Sequence, residues 1–317
     1  MGRETGIEWT DSTWNPIRGC SRVSEGCRNC YAESVAARFS GAGAPYEGLA
    51  KFVVVADGVE ARWTNEVRLI EKHLEDPIRW KKPARIFVNS MSDLFHPGVK
   101  DEWLGRIFDV MARAPQHIYQ ILTKRPERML DVLYAAGDSE VATSFTQTYS
   151  QPWPPPNWWF GVSVENQETA NARIPILAKC PAAVRFVSYE PAIGPLDLAI
   201  AAGDPVSMAA IDWFICGGES GSRARPMHPQ WARAVRDLCV DLGIPFFFKQ
   251  WGEWVDPSQN LCALHTAGVH EYISDQREHS KNCPNEETLL VRIGKKIAGS
   301  TLDGRDWKEF PQMEVKA

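Results

Sequence analysis

Six short apolar runs recur along the chain, each rich in β-branched and aromatic residues and each ending abruptly in small polar residues. They are RIFVN (85–89), IYQIL (118–122), WWFGVSV (158–164), VRFVS (184–188), DWFIC (212–216) and IPFFF (244–248). Several lead directly into helix-like segments: IYQIL runs into TKRPERMLDVLYAAG, where Thr123 and Pro126 read as helix-start residues and Gly137 as a stop. Near-continuous apolar strands alternating with helices are the mark of a parallel sheet covered on both faces. With one more strand expected before Cys20, the rhythm predicts an α/β fold, a partial or complete parallel β/α (TIM-like) barrel whose first strand is followed by a cysteine-bearing loop. An open doubly wound sheet is the alternative, but it would carry a glycine-rich turn where this chain has cysteines. The chain reads as one domain over 1–317, with insert-like stretches at 40–60, 137–157 and 256–290. The second of these, polar and then proline-rich, is expected to be a surface excursion.

In a parallel barrel the C-terminal strand ends face one mouth, and the polar residues that end these runs are the natural site candidates. They include Asn89 and Asp93, Lys124 and Arg125, Ser163 and Glu165, Tyr189 and Glu190, Glu219 and Ser220, and Lys249. Glu165 and Glu190 end successive strands and are the candidate general acid/base pair or, alternatively, ribose ligands. Lys124, Arg125 and Lys249, with Arg223 and Arg225 in the loop ESGSRARPM, suit an anionic substrate such as a nucleotide or a nucleic-acid backbone. Each has a plainer reading: Asp93 as the cap of the next helix, Lys124 and Arg125 as a solvated charge pair. Trp158, Trp159, Trp213, Trp251 and Trp254 gather near strand ends, where they either stack bases or pack the core.

The first strand is followed by WNPIRGCSRVSEGCRNCYAE, in which Cys20, Cys27 and Cys30 lie within eleven residues. Structural zinc sites close with four ligands, whereas an iron–sulfur cluster held by three thiolates leaves one iron open. His96 is the candidate fourth ligand of the zinc reading. Cys180, Cys216 and Cys239 sit in apolar surroundings and read as buried, and Cys262 and Cys283 have no spaced partner. Ligand spacing in a chain of low cysteine density points to metal or redox chemistry rather than disulfides. His265, His270 and His279 read as scattered surface histidines. A net charge of −5 implies no global attraction to nucleic acid. The N-terminus has no apolar core of a signal peptide and no segment has the length of a membrane span, so a soluble, cytoplasmic protein is expected.

The blocks GCSRVSEGCRNCYAE, FVNSMSDLFHP, ILTKRPERM, GVSVENQE, VSYEPAIGPLDL, GGESGSRARPM, KQWGEW and GKKIAGSTLDGRDWKEFP together resemble the phage three-Cys-motif protein family, which is distantly similar to radical S-adenosylmethionine enzymes. The resemblance implies that Cys20, Cys27 and Cys30 hold three irons of a [4Fe–4S] cluster. The open iron would take the methionine moiety of S-adenosylmethionine, whose reductive cleavage releases a 5′-deoxyadenosyl radical that acts on the substrate. It also implies an external electron donor, with Asn89, Asp93, Ser163 and Glu219 as candidate cofactor-binding residues. The substrate class it suggests is a nucleobase or nucleic-acid-related molecule, for modification or repair, with a partner protein as a source of affinity. The spacing here is C-x6-C-x2-C rather than the common C-x3-C-x2-C, and the Gly217-Gly218-Glu219 triplet follows a late strand rather than the second. The alternatives from other classes are a non-catalytic zinc-stabilised binding module and an iron–sulfur electron-transfer protein with Cys216 as a fourth thiolate.

Overall fold

Every one of the apolar runs is a strand. In the computed structural model, which describes residues 5–56, 58–135, 145, 147–198, 208–259, 271–275 and 288–312, seven strands are parallel. They are β1 (Ser12–Trp14), β2 (Arg85–Val88), β3 (Ile118–Thr123), β4 (Trp158–Val164), β5 (Val184–Tyr189), β6 (Trp213–Gly217) and β7 (Phe246–Gln250). Five principal helices alternate with them: α1 (Tyr31–Arg38) after β1, α2 (Asp101–Arg113) after β2, α3 (Pro126–Ala135) after β3, α4 (Gln167–Leu177) after β4 and α5 (Pro229–Leu242) after β6. The chain divides into two compact units, Met1–Val162 with Lys179–Val184, and Ser163–Ala178 with Arg185–Ala317.

In the first unit the strand order is β1-β2-β3-β4, with Trp14 opposite Val88, Val88 opposite Ile121 and Thr123 opposite Val162. In the second, β6 lies between β5 and β7, with Cys216 opposite both Tyr189 and Phe248. Neighbours in the sheet are therefore neighbours in the chain, the topology of a β/α barrel segment. Among the described residues β1 pairs only with β2 and β7 only with β6 within the sheet, and within each unit this is the strand order of a partial β/α barrel. All seven residues of β4 are buried, which is why its sequence alternates so little.

The helices are set by local chemistry. α2 buries Leu104, Ile107, Phe108 and Met111 on one face and carries Asp101 and Glu102 in its first turn and Arg113 in its last, complementing the helix dipole. Pro126 opens α3, where a missing N–H costs nothing. Asn166 and Thr169 form a reciprocal capping box on α4. α5 starts at Pro229 under the His228 cap and ends at Gly243, whose φ of 65° is open to glycine. There the Ile244 N–H returns to the Cys239 carbonyl. That closing turn uses Ile244, so β7 begins at Phe246 instead of Ile244.

The stretch 40–60 contributes to a hairpin of Ala50–Val55 with Gly58–Trp63, which packs on α1. Of the stretch 137–157, Phe145, Tyr149 and Trp153 are not a plain surface excursion. Phe145 meets Trp153 edge-on at 4.9 Å, and the two meet Trp158 edge-on at 5.8 and 5.6 Å, with Trp153 also edge-on to Phe108 at 5.6 Å, burying aromatic area over α2 and β4. Gly137, Cys262, Cys283, His265, His270 and His279 lie outside the described residues. No helix among the described residues is long and apolar enough to cross a membrane.

Candidate functional site

In the first unit, Cys20, Cys27 and Cys30 fall between β1 and α1, half-buried and free of disulfides. Two arginines pin this segment. Arg22 donates through Nε and Nη2 to the buried carboxylate of Glu33 on α1, at 2.9 and 2.5 Å to Oε2, and reaches the carbonyls of Arg28 and Ala61. Glu33 Oε1 also accepts the Trp63 N–H at 2.7 Å, tying the segment to the hairpin. From the opposite side Arg125, just after β3, donates from Nη2 to the Ser21 carbonyl (3.0 Å) and Oγ (2.9 Å), while Nη1 lies 4.0 Å from Cys20 Sγ.

Asp93 holds that arginine. Its Oδ2 accepts Arg125 Nη1 at 2.8 Å and the Lys124 N–H at 3.2 Å, and its Oδ1 accepts Thr123 Oγ1 at 2.7 Å and the Phe95 N–H at 3.0 Å. Asp93 does not cap α2, whose N-cap is Lys100. His96 completes the brace. Its Nδ1 accepts the Gly98 N–H at 3.0 Å, which leaves the proton on Nε2, and Nε2 donates to Ser21 Oγ at 2.9 Å. Burial and the nearby Arg125 push its pKa down from 6.5 to about 4, so the ring is neutral at physiological pH. With both ring nitrogens engaged, His96 is a brace for the cysteine segment and not a spare ligand. Arg128 donates to the carbonyls of His96 and Val99 and fixes the brace in turn.

The donor chemistry around the thiols fits thiolate ligation. The Arg125 guanidinium stands beside Cys20, and the backbone N–H groups of Glu33 and Ala32 at the start of α1 favour the Cys30 thiolate against burial. Without a metal the Cys20 and Cys30 thiols hold their protons. Burial, then the Asp93 carboxylate, drives Cys20 up to about 12 against the pull of Arg125, and Cys27 and Cys30 lie within electrostatic reach of it. Burial raises Cys30 as well. Among the described residues no three His, Cys, Asp or Glu side chains are already gathered around a metal position, and Cys20 Sγ points a weak bond at the Ser21 carbonyl.

Asn89 ends β2 at a positive φ of 63° and donates its N–H to the Trp14 carbonyl. Its side-chain oxygen accepts the Ile17 N–H at 3.3 Å, and its buried amide nitrogen has no partner. That leaves one strand-end donor available to a ligand. Lys124 is half-buried beside Arg125.

The second unit resolves the other candidates into pairs. Glu165 is 1% exposed and its carboxylate accepts Arg173 Nη1 at 3.0 and 3.2 Å, so the helix that follows its own strand neutralises it. Arg173 also donates to the Ser163 carbonyl. Glu219 is likewise taken by Arg225, through the backbone N–H (2.8 Å), Nε (2.9 Å) and Nη2 (2.6 Å). Glu219 and Arg225 thus serve each other. Arg223 is exposed.

Glu190 differs. At the end of β5 its Oε1 accepts Lys249 Nζ of β7 at 2.5 Å, with side chains 19% and 14% exposed. The two reach each other across β6 past Gly217, where a Cβ would make ordinary contacts at 3.5 Å with Glu190 Oε1 and Lys249 Cβ. Ser163 Oγ donates to the Glu190 carbonyl at 3.2 Å. Cys216, Cys239 and Cys180 are buried, and burial, then the Glu190 charge, raises the Cys216 thiol far above its ordinary value.

Gly218 has a plain reason: a Cβ would collide with the Trp251 carbonyl where the 218–219 and 251–253 backbones cross. The Gly217-Gly218-Glu219 triplet is accounted for by that crossing and by the Glu219–Arg225 pair. All five tryptophans named as stacking candidates are buried and pack the core.

Residues 4–311 match the family described as "Protein of unknown function (DUF5131)". The chain belongs to that family. Comparison with curated proteins and with solved structures found no match. Family membership therefore spans both units of the DUF5131 chain and carries no activity with it. Sequence reading missed Ser21, Arg22, Glu33 and Arg128. The signal was a cluster of cations, TKRPER, facing a carbonyl-rich turn, SMSDLFHPGV.

Proposed function

We propose that the chain is an iron–sulfur enzyme of the radical S-adenosylmethionine type, with Cys20, Cys27 and Cys30 as the cluster ligands. The observation that carries this reading is three free cysteines between the first strand and first helix of a parallel β/α fold, with a guanidinium beside one of the thiols. Thiolates are the ligands such clusters take, and donors to sulfur tune them. When bound, a [4Fe–4S] cluster supplies the electron for reductive cleavage of S-adenosylmethionine.

The chain's own residues have defined tasks in this reading. Arg125, held by Asp93 and seconded by His96, fixes the Cys20–Ser21 backbone, and Arg22 with Glu33 fixes the other limb. Asn89 offers its unpartnered amide to a cofactor. Glu190, held by Lys249 at Oε1, is the carboxylate able to take up a proton at Oε2, and Lys249 the cation able to meet an anionic group. Glu165, Glu219 and Arg225 keep their positions by pairing and are structural. The substrate proposed is a nucleobase or nucleic-acid-related molecule, met in the cytoplasm with an external electron donor and a partner protein.

The test is analytical. Anaerobic reconstitution is expected to load about four irons and four sulfides per chain, and Cys20→Ser, Cys27→Ser or Cys30→Ser to lower both. Purified protein carrying zinc in their place, or iron unaffected by all three substitutions, would overturn the reading.

A further inference from the structure

A second site, separate from the cysteine segment, lies in the first unit against β1. It is a cleft of about 310 Å³ between the end of β1 and two short helical turns, Glu71–Leu74 and Asp76–Arg79. That volume is at the small end of ligand pockets. Its walls combine two indoles, Trp14 and Trp80, with a polar set whose charges do not cancel.

The charges can be followed one by one. Asp76 is satisfied from both sides, its Oδ2 by His73 Nδ1 at 2.9 Å and its Oδ1 by Arg79 Nη1 at 3.3 Å. His73 Nδ1 is the donor to that carboxylate. Lys72, on the same wall, makes no ion pair or hydrogen bond with any described residue, and its ammonium is the uncompensated charge of the cleft. Asn15 has spent its oxygen on Ser90 Oγ (3.2 Å) and the Met91 N–H (2.9 Å), which leaves its NH2 as a donor. Trp80 is half-buried and held edge-on to His117 at 6.2 Å, so its ring is a fixed wall and not a loose surface side chain.

We infer that this cleft binds a small planar ring bearing one anionic group. The Trp80 indole would hold the ring, and Lys72 and the Asn15 amide the anion. A nucleoside monophosphate and an aromatic carboxylate share this chemistry. Nothing in the inference depends on the cysteines.

The experiment is calorimetric titration of the full chain with four probes: adenosine monophosphate, indole-3-carboxylate, adenosine and inorganic phosphate. At least one ring anion should bind saturably below about 1 mM, with adenosine and phosphate at least about tenfold weaker. The tighter of the two ring anions identifies whether phosphate or carboxylate is the natural group. Lys72→Glu and Trp80→Ala should each weaken that binding about tenfold or more. Lys72 is exposed, so Lys72→Glu should melt with the wild type, which makes its binding loss interpretable. Absence of binding by both ring anions, phosphate alone binding as tightly, or affinity undiminished in Lys72→Glu would each overturn the inference.

Discussion

Glu165 and Glu190 end successive strands and look alike in sequence, yet they have opposite environments. Glu165 is sealed against Arg173, so Glu165→Gln should strand a buried guanidinium and cost about 3–5 kcal/mol, read as a shift in the urea midpoint. Glu190 is part-exposed beside Lys249, and Glu190→Gln should cost less, about 1–3 kcal/mol, while abolishing whatever turnover is found. Equal stability losses in the two variants would contradict this division. His96 gives a pH dependence. Its pKa falls from 6.5 to about 4 on folding, so the unfolded chain binds the proton first. The stability that neutral His96 supports is complete above pH 6.5, declines as pH falls towards 4 and is flat below. His96→Gln should flatten the melting temperature against pH across that window relative to wild type; an unchanged slope would show that His96 does not titrate as described. Strand-end polarity was legible in the sequence. Partnership was not, because Arg173 follows Glu165 by eight residues as an ordinary helix cation, and only packing turns it inward.

At the scale of elements, the apolar runs and their terminators did most to specify the fold, since strands buried on both faces cannot hide their composition. The caps were readable too: Pro126 opens α3 where expected. Backbone crossings left a weaker trace. Gly217 and Gly218 are adjacent and interchangeable to the eye, but only Gly218 abuts a carbonyl. Gly218→Ala should force the 218–219 and 251–253 segments apart, costing at least about 1–3 kcal/mol, whereas Gly217→Ala meets ordinary contacts at 3.5 Å and should fold with a near-native melt. Thermal denaturation of the two single variants decides it, and the reverse ranking would mean that the crossing is not what the glycine serves.

For the molecule as a whole, the parallel β/α order was legible, while the choice between a partial and a complete barrel was not. Closure depends on which edges pair, and β1 and β7 are short or ordinary strands whose sequences do not announce an edge. The cysteine segment was legible as a cluster of three closely spaced thiols between the first strand and the first helix. Its bracing by Arg22, Arg125 and His96 was not, because those residues reach it from distant positions or serve it through backbone carbonyls. The cleft beside Lys72 was invisible for the same reason: EKHLEDPIRWKK reads as a solvated charge run. The central claim is that three thiolates hold a cluster with an open iron. Electron paramagnetic resonance of anaerobically reconstituted, dithionite-reduced protein, with and without S-adenosylmethionine, tests it most directly. The account predicts a [4Fe–4S]⁺ signal that shifts when S-adenosylmethionine is added. A signal indifferent to the addition, or none in a protein that carries zinc, would contradict it.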